Sequence, residues 1–219
     1  MVTVLFRNRT DAGRELASRL EFLRESEPIV LGLPRGGVPV AAEVADRLGA
    51  PLDVILVRKL GAPGHPEYAF GAIGEGGVRV LDPSAVRMLG ITEAAADDVE
   101  QRERDNLDRL AAAFRGSRPG LDPTGRTAII VDDGIATGST AQAACRVARA
   151  RGVWRVVLAT PVAPPEVAAR LAASSAADDT IVAETPSGFL SVGQWYTDFS
   201  QTTDAEVTAL LTERRSPES

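Results

Sequence analysis

The stretch Thr127 to Thr140, TAIIVDDGIATGST, constrains the fold of this chain more than any other. Ala128 to Val131 is a continuous apolar run rich in β-branched side chains, the composition of a strand covered on both faces in a parallel sheet. Asp132 and Asp133 follow at once, so the chain leaves the sheet at its carboxyl edge with two adjacent acceptor-only side chains. Gly134, Ala136 and Gly138 then keep the backbone open. Thr137, Ser139 and Thr140 add hydroxyls, and a helix starting near Ser139 or Thr140 turns its unpaired N–H groups into the loop, which makes an anion site. Two carboxylates just ahead of such a cradle repel a phosphate and match vicinal hydroxyls instead. A ribose 5-phosphate carries both groups. The loop has neither the Gly-Lys-Ser/Thr ending of a P-loop nor a Gly-x-Gly-x-x-Gly pattern, so those nucleotide sites lose support.

The same plan recurs upstream. Pro28 to Leu33 reads as a second buried strand, followed by Pro34-Arg35-Gly36-Gly37 and a helix from about Val38 to Leu48 closed by Gly49. Arg35 offers a guanidinium fork for a multiply charged phosphate. Leu52 to Val57 reads as a third strand that delivers Arg58 and Lys59 at its end, and the Gly- and Pro-rich residues 60–68 after it read as a mobile loop. Apolar segments around Gly74-Glu75-Gly76-Gly77 suggest a hairpin over 72–81. Helices are expected over Asp11 to Arg24, capped by Thr10 or Asp11, over Thr92 to Phe114, from the central loop to Arg151, over Pro164 to Ala173 and over Asp204 to Arg214. Strands Val156 to Thr160 and Thr180 to Ala183 complete an alternation that implies a doubly wound, mainly parallel α/β sheet flanked by helices. All three polar loops then fall on its carboxyl edge, where such sheets bind ligands.

Composition narrows the alternatives. A chain of 219 residues with 44% hydrophobic content can bury one substantial core. The net charge of −6, with Lys59 the single lysine, gives nucleic-acid binding no support. No apolar run reaches the ~20 residues needed to cross a bilayer. The single cysteine, Cys145, lies among small residues on a helix face and reads as a core filler, in keeping with a reducing cytoplasm. His65 is the single histidine, which excludes a histidine-cluster metal site or a His dyad. Arg7 and Arg9 stand close together near the amino terminus, either at a solvated edge or within reach of a substrate phosphate.

Ile130 to Thr140 resembles the phosphoribosyl pyrophosphate (PRPP) motif of type I phosphoribosyltransferases. The resemblance implies that family's fold, with a core over residues 1–184, a flexible flap over 60–82 and a small hood over 185–219. It also implies transfer of 5-phosphoribosyl from PRPP to a nitrogenous acceptor, with Asp132 and Asp133 on the ribose hydroxyls as the catalytic pair. Gly134, Ile135, Ala136, Thr137, Gly138, Ser139 and Thr140 would bind the 5-phosphate, and Arg35, Gly36, Gly37, Arg58 and Lys59 the pyrophosphate. The loop after the first strand often holds a non-proline cis peptide in such proteins. Mg²⁺ is the implied cofactor, held by substrate oxygens and water and touching Asp132 and Asp133 only indirectly. A homodimer is implied, with PRPP and a small acceptor as partners and no membrane or nucleic acid. Phe189, Trp195, Tyr196 or Phe199 would either stack on a base or bury the tail against the sheet. The alternative within this fold is a PRPP-sensing regulator that binds RNA or a protein.

Overall fold

The computed structural model describes residues 4–214. Five parallel strands form the central sheet: β1 (Ile29–Gly32), β2 (Leu52–Val54), β6 (Thr127–Val131), β7 (Arg155–Val162) and β8 (Asp179–Glu184), in the spatial order β2-β1-β6-β7-β8. Strand order reverses between β1 and β6, so the crevice beyond their carboxyl ends is the topological switch point of the sheet.

The apolar runs are continuous because each strand feeds two cores. Val30, Ile129, Val131, Val157 and Ala159 point to one face, where they meet α1 (Arg9–Arg19), α2 (Gly37–Leu48), α4 (Glu93–Arg115) and α7 (Asp204–Arg214). Their neighbours Ile29, Leu31, Ala128, Ile130, Val156 and Leu158 point to the other, against α5 (Ser139–Ala150) and α6 (Pro165–Ala172). Alternation of side chains along a strand makes this the required pattern for a sheet covered on both sides. Cys145 is buried in the second core, and burial pushes its thiol up to about 12. No helix among the described residues is long and apolar enough to cross a membrane.

Three expectations change. The run Leu52 to Val57 is two strands: β2 stops at Val54, and β3 (Val57–Ala62) leaves for a separate antiparallel sheet with β4 (His65–Gly74) and β5 (Arg79–Leu81). Residues 60–68 therefore belong to two strands joined by a tight turn, not to a loop without secondary structure; Ala62 faces His65 and Gly61 faces Ala69, with Pro66 to Tyr68 bulging between these pairs. The first helix begins earlier and ends sooner than its leucines suggest. Asn8 caps it by accepting from the Asp11 N–H at 2.9 Å, and after Arg19 the chain tightens into a 3-10 turn over Glu21–Ser26. A short helix α3 (Pro83–Met88), capped by Asp82, also escaped the sequence reading.

Candidate active site

The switch-point crevice receives the loop after β6. Gly138 carries φ +81°, a conformation that favours glycine, and its carbonyl accepts the first bond of α5 from Gln142 N at 2.9 Å. Before it, Ile135 N donates to Val162 O at 2.9 Å. The backbone donors between Ile135 and Gln142 take no partner among the described residues, and they lie at the positive end of the α5 dipole. The Thr137 and Ser139 hydroxyls lie 3.5 Å apart at the same place, and Arg170 fixes the loop by donating to Thr137 O at 2.7 Å.

Asp132 and Asp133 are half-buried at the start of this loop. Asp132 Oδ1 accepts the Asp133 N–H at 3.0 Å. Asp133 Oδ2 accepts from Arg9 Nε at 2.7 Å, and its backbone carbonyl accepts from the Tyr196 hydroxyl. Burial pushes the Asp132 carboxyl up to about 7, and the negative charge of Asp133 adds to the rise. Burial raises Asp133 as well, but Arg9 opposes that rise through its hydrogen bond and its charge. The pair is thus unequal: Asp133 has a cation of its own, and Asp132 is the more easily protonated. Burial also pushes up the phenol of Tyr196, which keeps it a neutral donor.

The loop after β1 presses on this pair. A Cβ built on Gly36 would stand 2.0 Å from Asp133 Oδ2, and one on Gly37 would stand 2.5 Å from Val131 O. Both glycines are therefore needed for close approach, whatever else they bind. The Pro34–Arg35 peptide is cis, as the resemblance implied for this loop. The Arg35 side chain is exposed and turns to Asp204 on α7, 3.5 Å away.

Of the two cations after the sheet, Lys59 comes to the loop, its Nζ 3.2 Å from Ser139 Oγ. Arg58 is held by Glu103 of α4 at 2.7 Å. Both line a cavity of about 590 Å³ between the β3–β4 hairpin and α4, which also reaches Thr140 and Arg102. The structure thus gathers Asp132, Asp133, Gly36, Gly37, Lys59 and residues 134–140, while Arg35 and Arg58 rest on acidic side chains at the rim. No group of three or more His, Cys, Asp or Glu side chains able to hold a metal occurs among the described residues. Two adjacent carboxylates beside a cradle of backbone donors instead fit a hydrated Mg²⁺ carried by substrate oxygens.

The aromatic tail is largely structural. Trp195 and Tyr196 are buried with Phe6 and Val162, and Phe189 and Phe199 pack onto them. Phe199 also lies under the Arg9 guanidinium, 4.0 Å from ring centroid to Cζ. The sequence names Arg9 as a cation at a solvated edge or near a substrate phosphate and Tyr196 as a stacking or burying ring; their contacts with Asp133 are what it does not show. Arg9 stood out only as one of two neighbouring cations, and nothing in its spacing points to a carboxylate 124 positions away.

Fold and site together define a phosphoribosyltransferase-type α/β protein. A family model described as "Phosphoribosyl transferase domain" matches residues 5–186, and the chain belongs to that family. It is 56% identical over 207 residues to "Putative phosphoribosyl transferase Rv0571c" of Mycobacterium tuberculosis (strain ATCC 25618 / H37Rv). That match takes in 94% of this chain and 46% of the relative, so the chain spans about half the length of the curated relative. The crystal structure of the protein TT1426 from Thermus thermophilus is 46% identical in sequence and superposes with a TM-score of 0.88, over 97% of this chain and 100% of the other.

Proposed function

We propose that the protein transfers 5-phosphoribosyl from PRPP to a nitrogenous acceptor of the nucleobase class and releases pyrophosphate. One observation carries this reading: two adjacent carboxylates stand directly ahead of a row of backbone donors that have no partner among the described residues, inside the switch-point crevice. In the transfer, the bond from ribose carbon 1 to the diphosphate oxygen breaks with its electron pair, and the acceptor nitrogen bonds to carbon 1. Positive charge develops on the ribose. Asp132 and Asp133 hold the 2- and 3-hydroxyls and stabilise that charge, an electrostatic role that preorganised carboxylates fill well. The proton that the acceptor nitrogen loses goes to Asp133 or to Asp132, whose carboxyl burial raises to about 7. Residues 134–140 fix the 5-phosphate. Lys59 neutralises the leaving diphosphate, joined by Arg35 and Arg58 once these leave Asp204 and Glu103. Mg²⁺, when bound with PRPP, supplies further neutralisation of the diphosphate.

The test is pyrophosphate release from PRPP and Mg²⁺ across purines, pyrimidines, orotate and nicotinate-like acceptors, with an Asp132→Asn/Asp133→Asn protein as control. Acceptor-dependent release that the control lacks is the expected result. PRPP binding without release for any acceptor refutes the transferase reading and turns the search toward a regulatory partner.

A further inference from the structure

Arg9 sits at the first turn of α1, yet its side chain is only 13% exposed and its guanidinium makes three contacts, one of them to the carboxylate pair. Nε donates to Asp133 Oδ2 at 2.7 Å, and Nη1 donates to the Ser200 carbonyl at 2.6 Å. The Phe199 ring lies against its flat face at 4.0 Å. A planar fork with one face on a ring and two edges on different acceptors has its orientation fixed, which a lysine in its place would not reproduce. Gly36 lies against the same pair, since a Cβ there would meet both Asp133 Oδ2 and Arg9 Nε. The Tyr196 hydroxyl pins the Asp133 carbonyl, and Tyr196 packs on both Phe6 and Phe199. Asp133 Oδ2 is thus committed to the protein, and Oδ1 takes no hydrogen bond from another residue among the described ones.

We infer that Arg9 is a positioning residue: it clamps Asp133 by Oδ2 so that Oδ1 is presented to a ribose hydroxyl, and it ties the Phe199–Ser200 segment of the tail to that carboxylate. This inference rests on the ribose-binding role given to Asp133 above. It also decides what Arg9 does not do. A guanidinium already shared among a carboxylate, a carbonyl and a ring is not a free cation awaiting a phosphate. Its effect on PRPP therefore runs through Asp133 alone.

A double-mutant cycle separates the two roles. PRPP affinity would be measured by calorimetry with Mg²⁺ at fixed salt for the wild-type protein, Arg9→Gln, Asp133→Asn and the double variant, each checked by thermal melting. Arg9→Gln is expected to weaken PRPP about 10-fold in the wild-type background and less than about 2-fold in the Asp133→Asn background, as for groups that act as one unit. Arg9→Lys is expected to recover part of the loss. Phe199→Leu keeps the charge and removes the ring, and is expected to give a smaller loss, of about 3-fold, that also disappears beside Asp133→Asn. Equal losses from Arg9→Gln in both backgrounds would mean direct contact with PRPP and would overturn the inference, as would wild-type affinity in Arg9→Gln. Should the wild-type protein itself fail to bind PRPP, the site reading falls and takes the Arg9 role with it.

Discussion

Replacing Gly36 by Ala tests the geometry of the carboxylate pair with the smallest available change. Gly36 has φ −62° and ψ −33°, ordinary helical values, so its backbone would accept alanine without strain. Conformational entropy alone then predicts a gain of about 0.5–1 kcal/mol, since glycine loses more freedom on folding. Packing predicts the opposite. The new Cβ would lie 2.0 Å from Asp133 Oδ2, 2.7 Å from its Cγ and 3.2 Å from Arg9 Nε. Restoring an ordinary separation of about 3.2 Å requires the carboxylate to retreat by about 1.2 Å, which breaks its bond to Arg9. Losing a charged, part-buried hydrogen bond costs about 1.5–3 kcal/mol, so the net change is a loss of about 0.5–2.5 kcal/mol. For a chain of this size that lowers Tm by about 1–10 °C. The functional cost is larger, because a displacement of ~1 Å at a reacting centre is worth about 100-fold in rate. The expected phenotype of Gly36→Ala is therefore a folded protein with a modestly lower Tm and a loss of about 100-fold in acceptor-dependent pyrophosphate release. Affinity for PRPP and turnover within about 2-fold of wild type would refute the claim that Gly36 exists to let Asp133 approach.

Asp132 sets a pH dependence whose sign follows from its raised carboxyl. Between its ordinary unfolded value and about 7 the folded protein holds a proton that the unfolded chain has released, so stability falls as pH rises through that window; Asp132→Asn is expected to flatten this slope in denaturant titrations from pH 4 to 8. The interior of the helical face depends on Arg115, which is buried and bonds Asp53 Oδ1 at 2.7 Å, Glu75 and the Val54 carbonyl at 2.9 Å. Arg115→Ala leaves Asp53 buried without its cation and is expected to cost about 3–5 kcal/mol in urea unfolding, while a loss under about 1 kcal/mol would contradict that accounting. Cys145, with its thiol up to about 12, is expected to resist a soluble disulfide reagent in the native protein and to react fully on unfolding; rapid native labelling would show that α5 opens locally.

The sheet was legible because its strands are buried on both faces, and that burial leaves unbroken runs such as Ile129–Val131 that no helix of this length would need. The central loop was legible for a related reason: its chemistry is local, written in consecutive residues from Asp132 to Thr140. What escaped is nonlocal. Leu52 to Val57 reads as one strand in sequence, but Ile55 and Leu56 are buried in opposite cores, and the chain changes sheets there. Apolar character reports burial and is silent about which sheet supplies it. Arg115 closes a helix ahead of a Gly- and Pro-rich linker, where an arginine is ordinarily solvated, and only its partners 62 and 40 positions away draw it inside. Arg9 follows the same logic across a still longer separation. The aromatic tail left two readings open, and the structure settles on burial for Trp195 and Tyr196.

The β3–β4 hairpin has a mechanical property that follows from where it is gripped. Phe70 and Ile73 are wholly buried, and Gly74 lies so close to Val147 of α5 that a Cβ there would come within 2.2 Å, whereas His65 to Ala69 are exposed. The ladder slips register on both sides of Gly61, at the border between the gripped and the free part. Such an element is anchored at one end and projects beyond the two register slips. From Phe70 to the turn at Gly64 the arm is about 20 Å long at the rise of a strand, so a tilt of only about 15° at the root carries its tip through about 5 Å. A change in packing too small to disturb the core is thereby magnified into a displacement the size of a phosphate group.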